Sequence, residues 1–420
     1  MTVLDLSKKP DASWRIWEHP ERYWPTLSRA LASIESPVAA LHLDALRHNT
    51  HDMLLRAAGK PIRVASKSVR VRSVLDAVLA LPGYHGVLAY TLPEALWLAE
   101  GDDEHAAIED VVVGYPTADR AAILRLAHSA ELAARVTLMV DSVAQLDFID
   151  AVIAPAQRES IRICLELDAS WNGGPLGHIG VWRSPIFSAA DARALAARIA
   201  TRSGFSLVGM MGYEAQIAGQ GDQPAGRAAW GATLRWMQKK SKAELAERRG
   251  AAVAAVRELV DLEFVNGGGT GSLEFTASDD SVTEIAAGSG LFGGHLFDNY
   301  QSFRPAPATA FALSVVRKPT PEMATILGGG WVASGPAADD RLPRIVWPEG
   351  LEMSAREMAG EVQTPVSGAS AVSMRVGDRV WLRHTKSGEL SEHVNEFHLV
   401  DGDVIVDVLP TYRGEGMAFL

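Results

Sequence analysis

Residues 262–290 read LEFVNGGGTGSLEFTASDDSVTEIAAGSG. Two short apolar runs, 262–265 and 282–287, each end in a cluster of glycines, and a helical stretch separates them. A strand, a turn, a helix and a second strand make one repeat of a parallel α/β sheet. Working back toward the N-terminus, the same texture recurs at 62–66, 86–90, 110–114, 136–140, 161–167 and 206–212. Eight such runs, with Ala- and Leu-rich helices between them, predict an α/β fold in which a closed (β/α)8 TIM-type barrel forms rather than an open sheet. A run at 38–43, followed by LDALRHNTHDMLLRAAG, is expected to supply a leading strand and the barrel's first helix. Ser188, Asp191, Leu195 and Ile199 give one helix an N-cap, a first-turn acid and an apolar stripe, and Gly204 is expected to stop it.

Beyond residue 300 the pattern changes. FRPAPATAFALSVV, RLPRIVWP, EVQTPVSG, RVGDRVWLRH and FHLVDGDVIVDVLP are strand-like runs broken by Gly, Pro and Asp turns. They predict a C-terminal all-β domain over 304–420, after a barrel spanning 36–303. The N-terminal segment 1–35 carries Trp14, Trp17, Tyr23 and Trp24 and is expected to pack on the β-domain.

Composition narrows the function classes. The chain has 420 residues, 47% hydrophobic and 22% charged, which suits a soluble globular protein with a large core. A net charge of −11 offers no footprint for a nucleic-acid backbone or an anionic membrane. The single cysteine, Cys164, lies in an apolar strand and excludes an intrachain disulfide; it is expected to be buried and inert. The N-terminus lacks the continuous apolar region of a secretory signal, and no stretch approaches the length of a membrane span, so a cytoplasmic setting is expected.

Active sites of such barrels gather where the strands end, so the residues following each run carry the chemistry. Lys67 follows the first, Tyr90 the second, Gly114 and Tyr115 the third, and Asp141 the fourth. Glu166 and Asp168 flank the fifth, Tyr213 and Glu214 follow the sixth, 266–270 the seventh, and 288–290 the eighth. A lysine amine projecting from a strand into a barrel mouth and partly desolvated there can trap an aldehyde as a Schiff base. Loops after strands seven and eight recurrently bind phosphate in this architecture, through backbone N–H groups that glycine exposes and hydroxyls of Thr and Ser. An amine and a phosphate cradle across one mouth suit pyridoxal 5'-phosphate, which carries both an aldehyde and a phosphate.

At this point the chain resembles the fold-type III pyridoxal-phosphate enzymes, the alanine-racemase-like barrels, and among them the D-threonine aldolase and D-serine dehydratase group. The motifs that carry the resemblance are SPVAALHLDALRHN, RVASKS, GMMGYE, VNGGGTGS and AAGSGLFG. The resemblance implies that Lys67 forms the Schiff base, that Gly268, Gly269, Thr270, Gly288 and Ser289 hold the phosphate, and that Tyr213 lies by the cofactor ring or the substrate. Many relatives place an arginine near the cofactor's phenolic oxygen where this chain has His178 in GHIGV. Metal-dependent relatives end in a Pro-Asn-His-x-Cys or Asp segment; here PTYRGEG puts Tyr412 and Gly414 at the ligand positions. That departure argues against a divalent metal, and no metal ligand is assigned. In HVNEFH, strand alternation is expected to point His393 and His398 to opposite faces. His384 and Glu392 complete the remaining histidine and carboxylate candidates. DDEH at 102–105 reads as a polar turn, and the basic stretch from Arg235 as a solvated helix face.

The implied activity is lysis of a β-hydroxy-α-amino acid, by retro-aldol cleavage or by dehydration and deamination, with His393 and Tyr412 as candidate partners of the β-hydroxyl. A pyridoxal-phosphate amino-acid racemase is the alternative within the cofactor class, and a non-catalytic cofactor carrier the alternative outside it. The expected partner is a small amino-acid substrate, and the resemblance implies a homodimer.

Overall fold

The computed structural model describes residues 4–9, 15–336 and 338–420. All eight expected runs are strands, and they pair in parallel into one closed barrel. In chain order they are Ile62–Ala65, Tyr84–Ala89, Val111–Val113, Val136–Val140, Ile161–Glu166, Phe205–Gly212, Phe264–Gly267 and Glu284–Ala287. Closure comes where Ile285 and Ala287 of the eighth strand register with Ile62 and Val64 of the first. Helices return the chain between strands, and polar caps set where several begin. Ser188 Oγ accepts the Asp191 N–H at 3.1 Å and starts the helix Ala189–Ala200, which ends at Ala200, ahead of Gly204. Asp102 Oδ1 accepts the N–H groups of Glu104 and His105, which makes 102–105 the turn expected there.

The barrel interior is a packed core of Val112, Met139, Cys164, Val208, Met211 and Phe264. Gly209 makes room for it, because a Cβ there would overlap the Phe264 ring. Burial pushes the Cys164 thiol well up, so that side chain is a small apolar filler. Where the strands begin, the buried Arg63 donates Nε to Glu284 Oε1 at 2.7 Å and Nη2 to Asp110 Oδ2 at 2.8 Å. Burial would raise Glu284, but hydrogen bonds from His85 and Arg63 and the Arg63 charge bring it down to about 2. This ion cluster sits at the N-terminal end of the barrel strands.

The chain divides into two units. Met53–Lys67, Val78–Gly288 and Phe419–Leu420 form the barrel unit; Met1–Asp52, Ser68–Ala77 and Ser289–Ala418 form a sheet unit. The strand-like runs after residue 300 all appear in that sheet, as Thr309–Thr320, Arg344–Trp347, Gln363–Ser367, Arg379–Arg383, Glu396–Asp401 and Val404–Pro410. The leading strand differs from expectation. Val38–His42 forms, but it pairs antiparallel with Thr309–Thr320 and parallel with Glu396–Asp401 instead of entering the barrel. An apolar run before a helix has the same local pattern whichever sheet takes it up, so periodicity could not name its partner. The sheet unit is therefore assembled from three stretches of chain and not from 304–420 alone.

The helix Pro20–Ala30 lays Tyr23, Trp24 and Leu27 against Val38, Trp381 and Val400 of this sheet. Polar aromatic tips at this contact are satisfied: Tyr23 of the helix donates its hydroxyl to the Pro307 carbonyl at 2.7 Å, and the Trp381 indole N–H of the sheet goes to Ser28 Oγ at 2.7 Å. Trp14 lies outside the described residues. Among those residues no helix is long and apolar enough to cross a membrane.

Candidate active site

The first barrel strand ends at Ala65 and the chain makes a tight turn over Ser66–Ser68. Ser66 is buried and donates its hydroxyl to the Leu88 carbonyl at 3.2 Å, which fixes the turn that presents Lys67. Lys67 Nζ donates to the Tyr115 hydroxyl at 3.2 Å. Lys67 itself is exposed, so the expected desolvation of its amine is not supplied by this chain. What the barrel supplies instead is an aromatic and cationic surround. The Arg183 guanidinium carbon lies 5.4 Å from the Tyr115 ring centre and 5.0 Å from that of Tyr213. Burial would raise the Tyr115 phenol, but the Lys67 and Arg183 charges outweigh it and bring it below its ordinary value. Tyr213, just past the sixth strand, is pushed up to about 12 by burial.

The glycine loops converge on these residues. A Cβ at Gly269 would lie 3.2 Å from Tyr213 Cε2, and one at Gly288 would run into the carbonyl oxygen of Ala65, two residues before Lys67. Gly268 has φ +90°, which only glycine adopts readily. Its N–H, however, does not point to an open cradle: it donates to Glu214 Oε2 at 3.0 Å. The Gly269 N–H likewise donates to Ser272 Oγ at 3.2 Å. A buried acid and a serine thus engage both N–H groups. Glu214 is fully buried and also accepts from Thr276 Oγ1 at 2.7 Å, with Arg249 Nη1 3.6 Å away. It anchors the loop from below. Thr270 follows in the loop, and its carbonyl accepts from Arg56 Nη2 at 2.7 Å. Ser289 opens the short helix Ser289–Phe292 in the sheet unit, where its carbonyl accepts from Ser387 Oγ at 3.0 Å.

After the fifth strand, a small hairpin pairs Trp171–Asn172 with His178–Ile179. His178 stacks on Trp182 with ring centres 3.7 Å apart. Its Nε2 is buried without a hydrogen-bond partner. Glu166, the last residue of the fifth strand, is 4% exposed, and burial pushes its carboxyl up to about 7 despite the Arg183 charge, with Asp141 and Asp168 adding to the rise. Arg183 was not among the residues singled out from sequence. It sits in an irregular stretch, and only the fold brings it onto two tyrosines that follow other strands.

His393 and Tyr412 belong to the sheet unit. His393 does not share a strand with His398. It follows the short helix Ser387–Ser391 and stacks on Trp331 at 4.8 Å, while His398 is buried within Glu396–Asp401. The helix won because Ser391 Oγ bonds the Val69 carbonyl at 2.8 Å and ties the segment down before the strand begins. Tyr412 is buried, and its N–H donates to the Arg70 carbonyl at 2.9 Å. Glu392 pairs with Arg70, and His384 Nε2 lies 3.2 Å from Ser387 Oγ. Among the described residues, no group of three or more His, Cys, Asp or Glu side chains is placed to hold a metal ion.

Over 273 residues the chain is 29% identical to 3-hydroxy-D-aspartate aldolase of Paracoccus denitrificans, a match covering 62% of this chain and 61% of that one. The chain thus spans about three fifths of the length of that relative. It is 24% identical to D-threonine aldolase of an Arthrobacter species over 91% of this chain and 88% of that one. Among solved structures, D-threonine aldolase from Filomicrobium marinum superposes with a TM-score of 0.73 at 20% identity, covering 91% of this chain and 96% of that one. D-threo-3-hydroxyaspartate dehydratase from Delftia sp. HT23 gives 0.68 at 19% identity, over 91% and 98%. These two likenesses show a shared fold. Residues 41–295 match the family described as alanine racemase, N-terminal domain, which is more than half of the sequence, and the chain belongs to that family.

Proposed function

We propose that the chain is a pyridoxal-phosphate-dependent lyase acting on a β-hydroxy-D-amino acid, by cleavage of Cα–Cβ or by dehydration. The observation that carries this reading is the cluster of Lys67, Tyr115, Arg183 and Tyr213 where the barrel strands end, with two glycine loops run against it. The family implies the cofactor, and the names of the relatives support both the β-hydroxy substrate and its D-configuration. The residues fit the group. An amine stands on one side of the mouth, Gly269 leaves space beside Tyr213 that any side chain would fill, and the buried His178 Nε2 lacks a partner.

When bound, the cofactor supplies an aldehyde that takes the substrate amine and a ring that draws electrons from the bonds at Cα. Lys67 would hold it covalently. Thr270, Gly268, Gly269, Gly288 and Ser289 are the proposed phosphate residues, with hydroxyls carrying more of the contact because two of the N–H groups are engaged. Tyr213 would pack against the ring and His178 would bond a polar edge. Tyr115, with its phenol lowered, can pass a proton at its hydroxyl to or from the Lys67 amine. Glu166, titrating near neutrality, can hold or return a second proton in the same mouth. His393 and Tyr412 are proposed to act on the β-hydroxyl. The family resemblance supports a homodimer, and the acidic, single-cysteine composition supports a cytoplasmic setting.

Borohydride reduction of the purified protein should fix a pyridoxyl group on the peptide containing Lys67, and Lys67→Ala should abolish it. Labelling of a different lysine would overturn the assignment of the first strand.

A further inference from the structure

We propose that Arg70 is a positioning residue for Lys67: its left-handed backbone, pinned by Ser391, Glu392 and Tyr412, sets where the amine stands beside Tyr115. This rests on the lyase reading for the task of the amine and deepens it. Among the described residues, three that are not glycine have a positive φ: Ala58 at +51°, Arg70 at +54° and Met358 at +50°. Of the three only Arg70 is buried, and it stands three residues past Lys67. In that conformation Cβ crowds the following carbonyl oxygen, so such a residue stays there only where its surroundings over-determine it. Here they do. Ser391 Oγ donates to the Val69 carbonyl at 2.8 Å, the Tyr412 N–H donates to the Arg70 carbonyl at 2.9 Å, and the Arg70 guanidinium pairs with Glu392. The two holding segments are joined to each other, since Thr411 donates its N–H to the Asn395 carbonyl at 2.9 Å and its hydroxyl to the Val394 carbonyl at 2.7 Å. Residues 68–77 and all of these partners belong to the sheet unit.

If a turn were all that is needed, arginine would be a poor choice. Glycine takes such a φ without strain, and the chain uses it so elsewhere, as in Gly402 at +62°. What arginine adds is an anchor. Its charge-assisted bond to Glu392 couples one backbone conformation to a fixed side chain, where glycine would leave the turn free to reopen. Val69 and Val71 on either side are fully buried, so neither neighbour can swing outward to relieve the strain. Only Ser68 separates Lys67 from Val69, and on its other side Ser66 bonds the Leu88 carbonyl at 3.2 Å. Lys67 therefore sits in a short span held at both ends. Its side chain is exposed, so the span that carries it decides whether the amine can meet the Tyr115 hydroxyl at 3.2 Å.

The first readout needs no cofactor. Burial works to raise the Tyr115 phenol, the Lys67 and Arg183 charges bring it below its ordinary value, and Glu166 opposes them, so an amine that drifts away should let the phenol climb. Ultraviolet phenolate titration of the full chain, with each variant measured with and without Tyr115→Phe, isolates that one group. Arg70→Ala should move its midpoint up by about half a pH unit or more, Arg70→Gly by less, and Arg70→Lys, which keeps the cation, should come back close to the wild type. Glu392→Gln should shift it in the same direction with residue 70 untouched, and it decides the matter if Arg70→Ala does not fold. With pyridoxal phosphate bound, the pH midpoint of the visible band should move in the same order of variants, and kcat/KM should fall by up to about a hundredfold in Arg70→Ala, mainly in kcat. Melting temperatures measured alongside separate a structural role. If Arg70→Ala and Glu392→Gln melt earlier but leave both midpoints in place, Arg70 only holds the fold and the proposal fails. It fails as well if Arg70→Lys lies no nearer the wild type than Arg70→Ala, because the pinning charge is then irrelevant. If Lys67 is not labelled by borohydride, the lyase reading falls, while the phenol titration still decides whether Arg70 places the amine.

Discussion

Glu214 is the group on which the glycine loop hangs, and removing its charge should show how much the loop depends on it. The carboxylate is fully buried and accepts from the Gly268 N–H at 3.0 Å and the Thr276 hydroxyl at 2.7 Å, with the Arg249 guanidinium 3.6 Å away. Glu214→Gln keeps the shape and one acceptor but removes the charge; losing a charged hydrogen bond costs about 1.5 to 3 kcal/mol. Glu214→Leu strands a backbone N–H, a hydroxyl and part of a buried cation together, and breaking such a buried set costs about 3 to 5 kcal/mol. For a unit of this size each kcal/mol lowers the melting temperature by about 2 to 4 °C. The barrel transition should therefore fall by roughly 3 to 12 °C in the glutamine variant and further in the leucine variant. Thermal unfolding followed by circular dichroism and by calorimetry reads this, the second method because two units can melt separately. Retention of pyridoxal phosphate through gel filtration should decline in the same order, since Gly268 loses the bond that holds its φ of +90°. If Glu214→Leu melts within a degree or so of the wild type, the carboxylate does not anchor the loop.

Glu166 gives a pH signature. Its carboxyl stands at about 7 in the fold against an ordinary 4.5, so between those values the unfolded chain ionises while the folded one keeps its proton. Stability should fall as pH rises through that window, by at most about 3 to 4 kcal/mol. Glu166→Gln should be as stable as wild type below pH 4 and more stable above pH 7, and it should remove an ionisation near neutrality from the kcat/KM profile; an unchanged profile and stability curve would deny the residue a proton-transfer role. Activity should survive exhaustive EDTA, and His393→Ala or Tyr412→Phe should lower kcat by about a hundredfold if either side chain handles the β-hydroxyl proton. Loss on chelation with full rescue by Mn2+ would show a metal site despite Tyr412 and Gly414 in PTYRGEG.

The barrel strands were legible because each carries its own signal: a short β-branched or apolar run, a glycine or polar residue after it, and a helix to follow. The residues at the strand ends could be listed for the same reason, and Lys67, Tyr213 and the two glycine loops do meet in the barrel unit. What local pattern could not supply was partnership. Val38–His42 reads as a strand from its composition, but its neighbours lie far along the chain, and nothing in five apolar residues says which sheet will bury them. Glu214 is one acid among fifty-one acidic side chains until the fold buries it under Gly268. Arg183 is silent for a related reason, since it belongs to no regular element and its meaning comes from two tyrosines that follow other strands. Alternation reads His393 into a strand, but the strand holds only from Glu396 onward, because a helix and its tie to Val69 come first.

The sheet that takes up Val38–His42 has a consequence for how the chain is made. Leu41 registers with Thr309 on one side and Leu399 on the other, so this early strand has no strand partner until residues 309–312 are made, about three quarters of the way along the chain, and its second edge stays open until nearly the end. At roughly 5 to 20 residues per second that wait is on the order of tens of seconds. The barrel strands, each neighbour to the one before, can pair as they emerge, while the N-terminal strand carries two open edges through most of synthesis. Such an edge is a template for other chains. A nascent protein of this order has reason to recruit a chaperone at its N-terminus, and a fragment ended before residue 309 would keep that strand exposed for good.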